Sequence, residues 1–240
     1  MSTTLYVNDW GGATNQGARL FRVDPVTLSA EEIGPIGFPY IQGLAFRGEQ
    51  LYGFSSKDGS SEHHLVSIDT GTGKGKTIGV IGSGSPQAVA VAPDETLYCI
   101  TRIDQAYQLI TIDAASGAGT KVGELGNLIA GVGGLFFDTN SRLFSIVKVK
   151  DTAYPSNNGL YISPINSDTG VAEFAKGAQF QNTVTAESLA VLTYSDEGLL
   201  GASNGGHIYR LHVTTAEAIF LGPLGNRNSI WGMASLRTLN

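Results

Sequence analysis

The chain has 240 residues, 32 of them glycine, with 42% hydrophobic residues, 15% charged residues and a formal net charge of −6. This large hydrophobic share with so little charge excludes a disordered chain, and the 15 scattered basic residues exclude the basic surface that a nucleic-acid-binding protein needs. No apolar stretch approaches the ~20 residues of a membrane-spanning helix, so we expect neither nucleic acid nor a membrane as a partner.

Short apolar segments recur in a fixed order along the chain, with turn residues between them. One of them begins with Leu-Tyr or a similar pair at positions 5, 51, 97, 143 and 199. The first four pairs are evenly spaced and the last spacing is longer, which predicts an insertion in the fourth unit. In chain order, strands are predicted at 5–6, 20–24, 33–37, 43–46, 51–52, 65–69, 78–82, 88–91, 97–98, 109–113, 122–126, 134–137, 143–144, 160–164, 173–177, 188–191, 199–200, 208–212, 221–225 and 232–235. Runs of this length that are rich in Val, Ile, Tyr and Phe are typical of β-strands.

Four-stranded units that repeat at about 40–50 residues indicate the blades of a β-propeller. We therefore predict an all-β fold, a single five-bladed propeller domain over residues 1–240 with four antiparallel strands in each blade. The predicted blades cover 231–240 with 1–37, then 42–82, 87–126, 133–177 and 187–225. The first segment behaves as a second strand and the last as a first strand, so we expect a one-plus-three ring closure by the C-terminal strand.

The repeat resembles those of known propellers. Residues 51–82 contain Leu-Tyr, then Ile-Asp-x-x-Thr-Gly, then Ile-Gly-x-Ile-Gly, a pattern similar to uncharacterised bacterial five-bladed propellers and, more distantly, to YVTN- and WD40-type propellers. The resemblance covers the whole chain and implies the fold but no single activity, because propellers include lectins, hydrolases, lyases and scaffolds. Five-bladed relatives include tachylectin-type lectins and furanosidase-like glycosidases, but the repeated Asn-Trp signature and the inward carboxylates of those two groups are missing.

The resemblance implies a ligand site at the channel mouth where the inner strands begin. The residues just before the predicted inner strands are Gln42, Gln87, Gly133, Glu187 and Trp231. Because these equivalent positions carry different chemistry, we predict one concave site with an aromatic wall and a few convergent polar groups. The alternative is that these side chains fill the channel and hydrogen-bond with one another.

A second ring is predicted at the ends of the second strands. Its candidate binding residues are Asp9, Trp10, Arg102, Lys148 and Asn204. Arg102 and Lys148 belong to adjacent blades, so together they are candidates for binding an anionic group; ordinary solvated charge is the alternative. Trp10 and Trp231 map to the same face, where an aromatic wall suits a sugar ring or a flat apolar ligand, unless both fill the core.

The leading functional hypothesis is a binding module for a carbohydrate or small molecule at the channel mouth. One alternative is a hydrolase or lyase with Glu187 as the general acid or base, and another is a protein-interaction scaffold. No cofactor is predicted. No metal is predicted either, because no third ligand is placed to complete a site at Glu62-His63-His64. Gly201-Ala-Ser203-Asn-Gly205 lacks the helix that follows a nucleophile elbow. Asp24, Asp69 and Asp113 share one repeat position and are predicted to cap the turn after the third strand.

The cellular compartment is indicated only by two features. The single cysteine, Cys99, cannot form an internal disulfide, and residues 1–12 lack the basic start and apolar middle of a signal peptide. Both favour a cytoplasmic protein. A secreted protein is the alternative, because the first residue can be a processed end.

Overall fold

The structure consists of β-strands arranged in sheets of four. The computed structural model describes residues 2–9, 17–56, 62–82, 84–181, 189–196, 198–225 and 230–238. Within these ranges the strands are β1 Ser2–Asp9, β2 Arg19–Val23, β3 Ala30–Pro35, β4 Ile41–Arg47, β5 Gln50–Ser56, β6 His63–Ile68, β7 Gly75–Val80, β8 Ser85–Val91, β9 Leu97–Ile103, β10 Ala106–Ile112, β11 Gly119–Glu124, β12 Ile129–Phe137, β13 Leu143–Val149, β14 Gly159–Ile165, β15 Ala178–Gln179, β16 Leu189–Ser195, β17 Gly198–Ser203, β18 His207–His212, β19 Glu217–Pro223 and β20 Ile230–Thr238. The described residues include no helix with the length and apolar character that crossing a bilayer requires.

Each sheet is one blade of a five-bladed β-propeller. From the inner strand outwards, the sheets are β20-β1-β2-β3, β4-β5-β6-β7, β8-β9-β10-β11, β12-β13-β14-β15 and β16-β17-β18-β19, and we number these blades 1 to 5. The inner strands β20, β4, β8, β12 and β16 contact one another in a closed cycle. The predicted fold is therefore confirmed.

The ring closes through hydrogen bonds between the two ends of the described chain. Strand β20 pairs with β1 in antiparallel register, from Ser2 opposite Thr238 to Asp9 opposite Ile230. Blade 1 therefore takes one strand from the C-terminal side and three from the N-terminal side, as the sequence predicted.

The hydrophobic core lies between the blades rather than at one centre. In β2, Leu20 packs in a cluster with Val66 of blade 2, whereas its neighbour Phe21 packs in a cluster with Leu200 of blade 5. Consecutive residues of a strand point to opposite faces, so a strand with a neighbouring blade on each side is apolar on both faces. This packing explains why the chain has so few charged residues.

Close backbone contacts between blades explain the Ile-Gly and Thr-Gly parts of the repeat. A Cβ added to Gly34 of β3 would lie 2.6 Å from the carbonyl oxygen of Thr72 in the next blade, and one added to Gly73 would lie 2.7 Å from the carbonyl oxygen of Gly34. The φ angle of Gly73 is +81°, which favours glycine on its own account. Equivalent glycine pairs join blades 2 and 3 and blades 3 and 4.

Blade 4 departs from the prediction in its outer strand. Residues 173–177 were expected to form that strand, but Phe174–Lys176 forms a 3-10 turn. The outer strand is the two-residue β15, which pairs with Tyr161 and Ile162 of β14. Phe174 stands where the other outer strands have Gly34, Gly79 or Gly123, so this segment lacks the glycine that elsewhere allows close approach to the next blade.

The predicted role of the recurring aspartates is supported by their hydrogen bonds. The Oδ1 atoms of Asp24, Asp69 and Asp113 each accept hydrogen bonds from the backbone N–H groups two and three residues further on. The pKa of each carboxyl lies below its ordinary value, chiefly through these backbone bonds at Asp24 and Asp113 and through the Thr72 hydroxyl, followed by the backbone bonds, at Asp69. In blade 4, Asn166 makes the same two bonds, so the turn needs an acceptor oxygen rather than a charge.

Substitution of Asp113 tests this interpretation. Asp113→Asn is expected to keep the melting temperature at pH 7, because the amide oxygen replaces the carboxylate as acceptor, whereas Asp113→Ala is expected to lower it. The carboxyl has a pKa below 3.8 in the folded protein, chiefly through its hydrogen bonds with Ser116. Its stabilising contribution is therefore present above pH 3.8 and is lost as the pH falls through the lower folded-state value. Melting curves at pH 7 and pH 3 should show a smaller acid-induced loss for Asp113→Asn than for the wild type.

Candidate functional site

The candidate site lies in the channel around which the inner strands are arranged. All five inner strands begin on one face of the propeller, here called the upper face, and end on the opposite, lower face. The sequence predicted the site at the upper face.

Four of the predicted mouth residues lie within inner strands rather than just before them. Gln42, Gln87, Gly133 and Trp231 belong to β4, β8, β12 and β20. In each case the pairing with the second strand shifts by one residue at or next to this position. Such β-bulges re-aim side chains and are frequent beside functional sites.

In blade 5 the shift in strand pairing falls at Ala190. In blade 5, Leu189 pairs with Ser203 and Val191 pairs with Ala202, which leaves residue 190 as the bulge. This shift lies three residues after Glu187, the residue that the sequence predicted for this ring. Glu187 itself, like Trp10, lies outside the described residues.

The upper part of the channel is narrow. A layer of large aliphatic side chains crosses it, formed by Leu44, Val89, Leu135, Leu192 and Met233. The cavity above this layer, which Gln87 borders, has a volume of about 10 Å³, close to the minimum for one water molecule. This cavity is smaller than a sugar ring.

Polar groups near the upper mouth are mostly held by their own strands. The Gln87 side-chain amide donates to the carbonyl oxygens of Ser85 and Pro86 at 3.2 and 3.1 Å. Within the described residues, three buried side-chain oxygens have no hydrogen-bond partner, namely Asn8 Oδ1, Gln42 Oε1 and Thr101 Oγ1. All three belong to the upper ends of their strands.

Three residues of the predicted second ring have local surroundings that the structure describes. Arg102 donates to Gln105 Oε1 at 3.0 Å, and its guanidinium lies 6.0 Å from the ring centre of Tyr107, so its own hairpin holds it. Asp9 Oδ1 accepts the backbone N–H of Arg19 at 2.8 Å, which ties the end of β1 to β2. Asn204 is exposed in the turn after β17.

Lys148 borders a separate cavity on the upper face. This lateral cavity has a volume of about 190 Å³ and lies at the junction of blades 4 and 5. Its other lining residues are Gly131, Val132, Gly133, Ile146, Leu160 and Leu189. The structure thus brings together two predicted residues, Lys148 and Gly133, away from the channel axis.

Another part of the channel opens on the lower face, opposite to the predicted mouth. This lower chamber has a volume of about 160 Å³ and is lined by all five inner strands. Below the aliphatic layer, each strand contributes one residue to a second layer, namely Ala45, Ala90, Phe136, Thr193 and Ala234. Four of these residues are small, which is why the channel widens here.

An aromatic rim surrounds the lower chamber. The next residues of the inner strands are Phe46, Val91, Phe137, Tyr194 and Ser235. Phe46 and Phe137 each receive the edge of a tyrosine from the preceding blade, with ring centres 5.3 Å from Tyr6 and 5.6 Å from Tyr98. The tyrosine of the Leu-Tyr repeat therefore supports the rim, a role that the sequence did not reveal.

The polar side chains that line the lower chamber are those of Thr193 and Ser235, together with Tyr194 at its rim. Thr193 Oγ1 donates to Ser235 Oγ at 3.0 Å, and Ser235 Oγ donates to the carbonyl oxygen of Tyr194. Because the Thr193 hydroxyl uses its hydrogen in this chain, it keeps lone pairs that can accept a hydrogen bond. The chamber therefore presents an acceptor among mostly apolar side chains.

The described residues supply no metal centre. No group of three or more His, Cys, Asp and Glu side chains comes together in the described ranges. His64 Nε2 lies 3.2 Å from Glu62 Oε1, while the adjacent His63 has its pKa lowered by burial and by His64. Glu62, His63 and His64 do not form a three-ligand site.

The fold was compared with known proteins. No family model matches the chain, and no curated protein is significantly similar to it. Among solved structures, it is similar to a chain of the nidogen/laminin complex, with 12% identity, 98% of each chain covered and a TM-score of 0.61. A protein from Lactobacillus plantarum matches with 16% identity over 100% of this chain and 68% of that one (TM-score 0.52), and TolB from Acinetobacter baumannii with 10% identity over 98% and 66% (TM-score 0.53). At these identities the similarity concerns the fold alone.

Proposed function

We infer that the protein is a binding module that takes a small aromatic molecule, or one aromatic group of a larger ligand, into the lower chamber. The observation that carries this proposal is the cavity of about 160 Å³ that all five blades build around the channel axis. Apolar cavities of about 150 Å³ take up benzene-sized molecules, so the chamber matches one aromatic ring.

The chemistry of the walls narrows the ligand class. Phe46, Phe137 and Tyr194 surround the rim, and alanines line the layer above it, so most of the lining side chains are apolar. A sugar ring needs several hydrogen-bonding partners, and few of the side chains that line the chamber are polar. A ligand with a flat apolar body and one N–H or O–H donor fits the Thr193 acceptor better.

Binding of p-cresol and toluene tests the proposal. Both molecules fit the chamber by size, but only p-cresol carries a donor. We expect the wild-type protein to bind p-cresol about 2- to 10-fold more tightly than toluene, the usual contribution of one net hydrogen bond. Thr193→Val is expected to remove that preference and to leave toluene binding unchanged. Titrations followed by NMR chemical shifts give both affinities.

Two further variants locate the site. Ala90→Leu places three extra carbon atoms in the chamber and is expected to abolish binding of both molecules. Trp231→Ala changes the upper mouth and is the matched control, expected to bind like the wild type. Undiminished binding in Ala90→Leu, or loss of binding in Trp231→Ala alone, would exclude the lower chamber as the site.

A further inference from the structure

The outer strands of the blades differ in how they protect their free edges. An outer strand has hydrogen-bonding groups on one side that no neighbour pairs with, and natural sheets place charges on such edges to prevent pairing between molecules. In blades 1 to 3, the two residues just before the bulge of the outer strand always include a charge. These pairs are Glu31 and Glu32, Lys76 and Thr77, and Thr120 and Lys121.

Blade 5 has no charge at these two positions. Ile219 and Phe220 occupy them, opposite Arg210 and Tyr209 of β18. These two residues are 48% and 55% exposed, so about half of each is left uncovered by the rest of the propeller. Strand β19 has seven residues, whereas the outer strand of blade 4 has only two, too short to serve as a pairing template. Among the outer strands of the described chain, β19 is thus the one that is longer than two residues and has no charged residue at the two positions before its bulge.

An aromatic cluster lies behind this edge. The ring centre of Phe220 is 5.5 Å from that of Tyr209 and 5.6 Å from that of His207. These contacts hold the Phe220 ring in place while more than half of its surface stays exposed. An ordered, exposed aromatic ring at the centre of a strand suits a cross-strand pair.

We propose that β19 is a homodimer interface, in which two copies of the chain pair their β19 strands antiparallel about a two-fold axis at Phe220. In this register, Phe220 faces Phe220 of the second copy, Ile219 faces Leu221, and Glu217 faces Pro223. No like charges oppose each other, so the edge is self-complementary, as a two-fold interface requires. The same arrangement of β3 would bring glutamates of the two copies together, which is destabilising.

Sedimentation equilibrium over a range of concentrations tests the proposal. The wild-type chain is expected to reach twice its 25.2 kDa as the concentration rises. Phe220→Lys is expected to raise the dimer dissociation constant about tenfold or more, because two lysines then face each other and the aromatic pair is lost. Thr77→Lys changes the equivalent position of blade 2 and is the matched control, expected to dimerise like the wild type.

A mixture of charge variants tests the two-fold register itself. Phe220→Lys and Phe220→Glu are each expected to be monomeric alone and to form a heterodimer when mixed in equal amounts, because lysine then faces glutamate. If either variant fails to fold by circular dichroism, the corresponding Ile219 and Leu221 variants replace the pair. A monomeric wild type at every concentration, a dimer that persists in Phe220→Lys, or a dimer lost equally in Thr77→Lys would overturn the proposal.

Discussion

Gly79→Ala is expected to destabilise the protein by about 3 kcal/mol, the upper end of the usual overpacking range. A Cβ at this position would overlap the carbonyl oxygen of Ser116 in the next blade, well inside the 3.0 Å that Cβ atoms essentially never cross. Both sides of this contact are backbone, so neither can move aside without shifting a strand or a turn. For a chain of this size the expected fall in melting temperature is about 6–12 °C, measured by calorimetry.

The comparison with Gly205→Ala separates the effect of a steric clash on stability from the effect that replacing any glycine by alanine has. Gly205 has no atom closer than 3.7 Å to an added Cβ, and its substitution is expected to change stability by less than about 0.5 kcal/mol. Gly123→Ala, which meets the carbonyl of Thr169 in the same way, should repeat the large loss. Equal melting temperatures for the Gly79 and Gly205 variants would contradict the packing described for the repeat glycines.

Removal of residues 226–240 is expected to abolish cooperative folding. Without β20, blade 1 loses its inner strand, and the buried side chains of Leu5 and Leu44 lose their contacts with Met233 and Ala234 in the cores on either side. The channel would also lose one of its five walls. Circular dichroism during heating should show no cooperative transition for this truncated chain.

A circular permutant provides the matched control for this truncation. A chain that begins at residue 226, runs to 240 and continues from 1 to 225 restores β20 as a covalent neighbour of β1. Because Ser2 lies opposite Thr238, the three residues between them form a connection of the usual hairpin length. The permutant is expected to fold and to melt cooperatively. A permutant that stays unfolded would contradict this prediction, because it would show that restoring the pairing of β20 with β1 is not sufficient for folding.

The fold could be predicted from the sequence because the same local pattern occurs five times. Each unit repeats the order of strands, the aspartate-capped turn and the glycine-punctuated outer strand, so an error in one unit is corrected by the others. Blade 4 shows the limit of this redundancy. Where the pattern changes at 173–177, the predicted strand was wrong, because the position of β15 is decided by its pairing with Tyr161 and Ile162.

The candidate site was predictable only in part. In the sequence of blade 5, apolar stretches at 188–191 and 191–194 overlap, and the prediction aligned the first with the inner strands of the other blades. Pairing with β17 puts the shift in register at Ala190, so the second stretch aligns with them instead. A local pattern cannot decide between the two, because the register depends on the partner strand.

The sequence by itself determined the number of blades, the ring closure and the turns, since these depend on short-range patterns of apolar residues, glycine and aspartate. Only the tertiary structure decided where the channel is open. The lower chamber exists because small residues from four blades, Ala45, Ala90, Thr193 and Ala234, come to one level below a layer of larger aliphatic residues. These residues are far apart in the chain, and the volume between them is a property of the closed ring rather than of any single repeat.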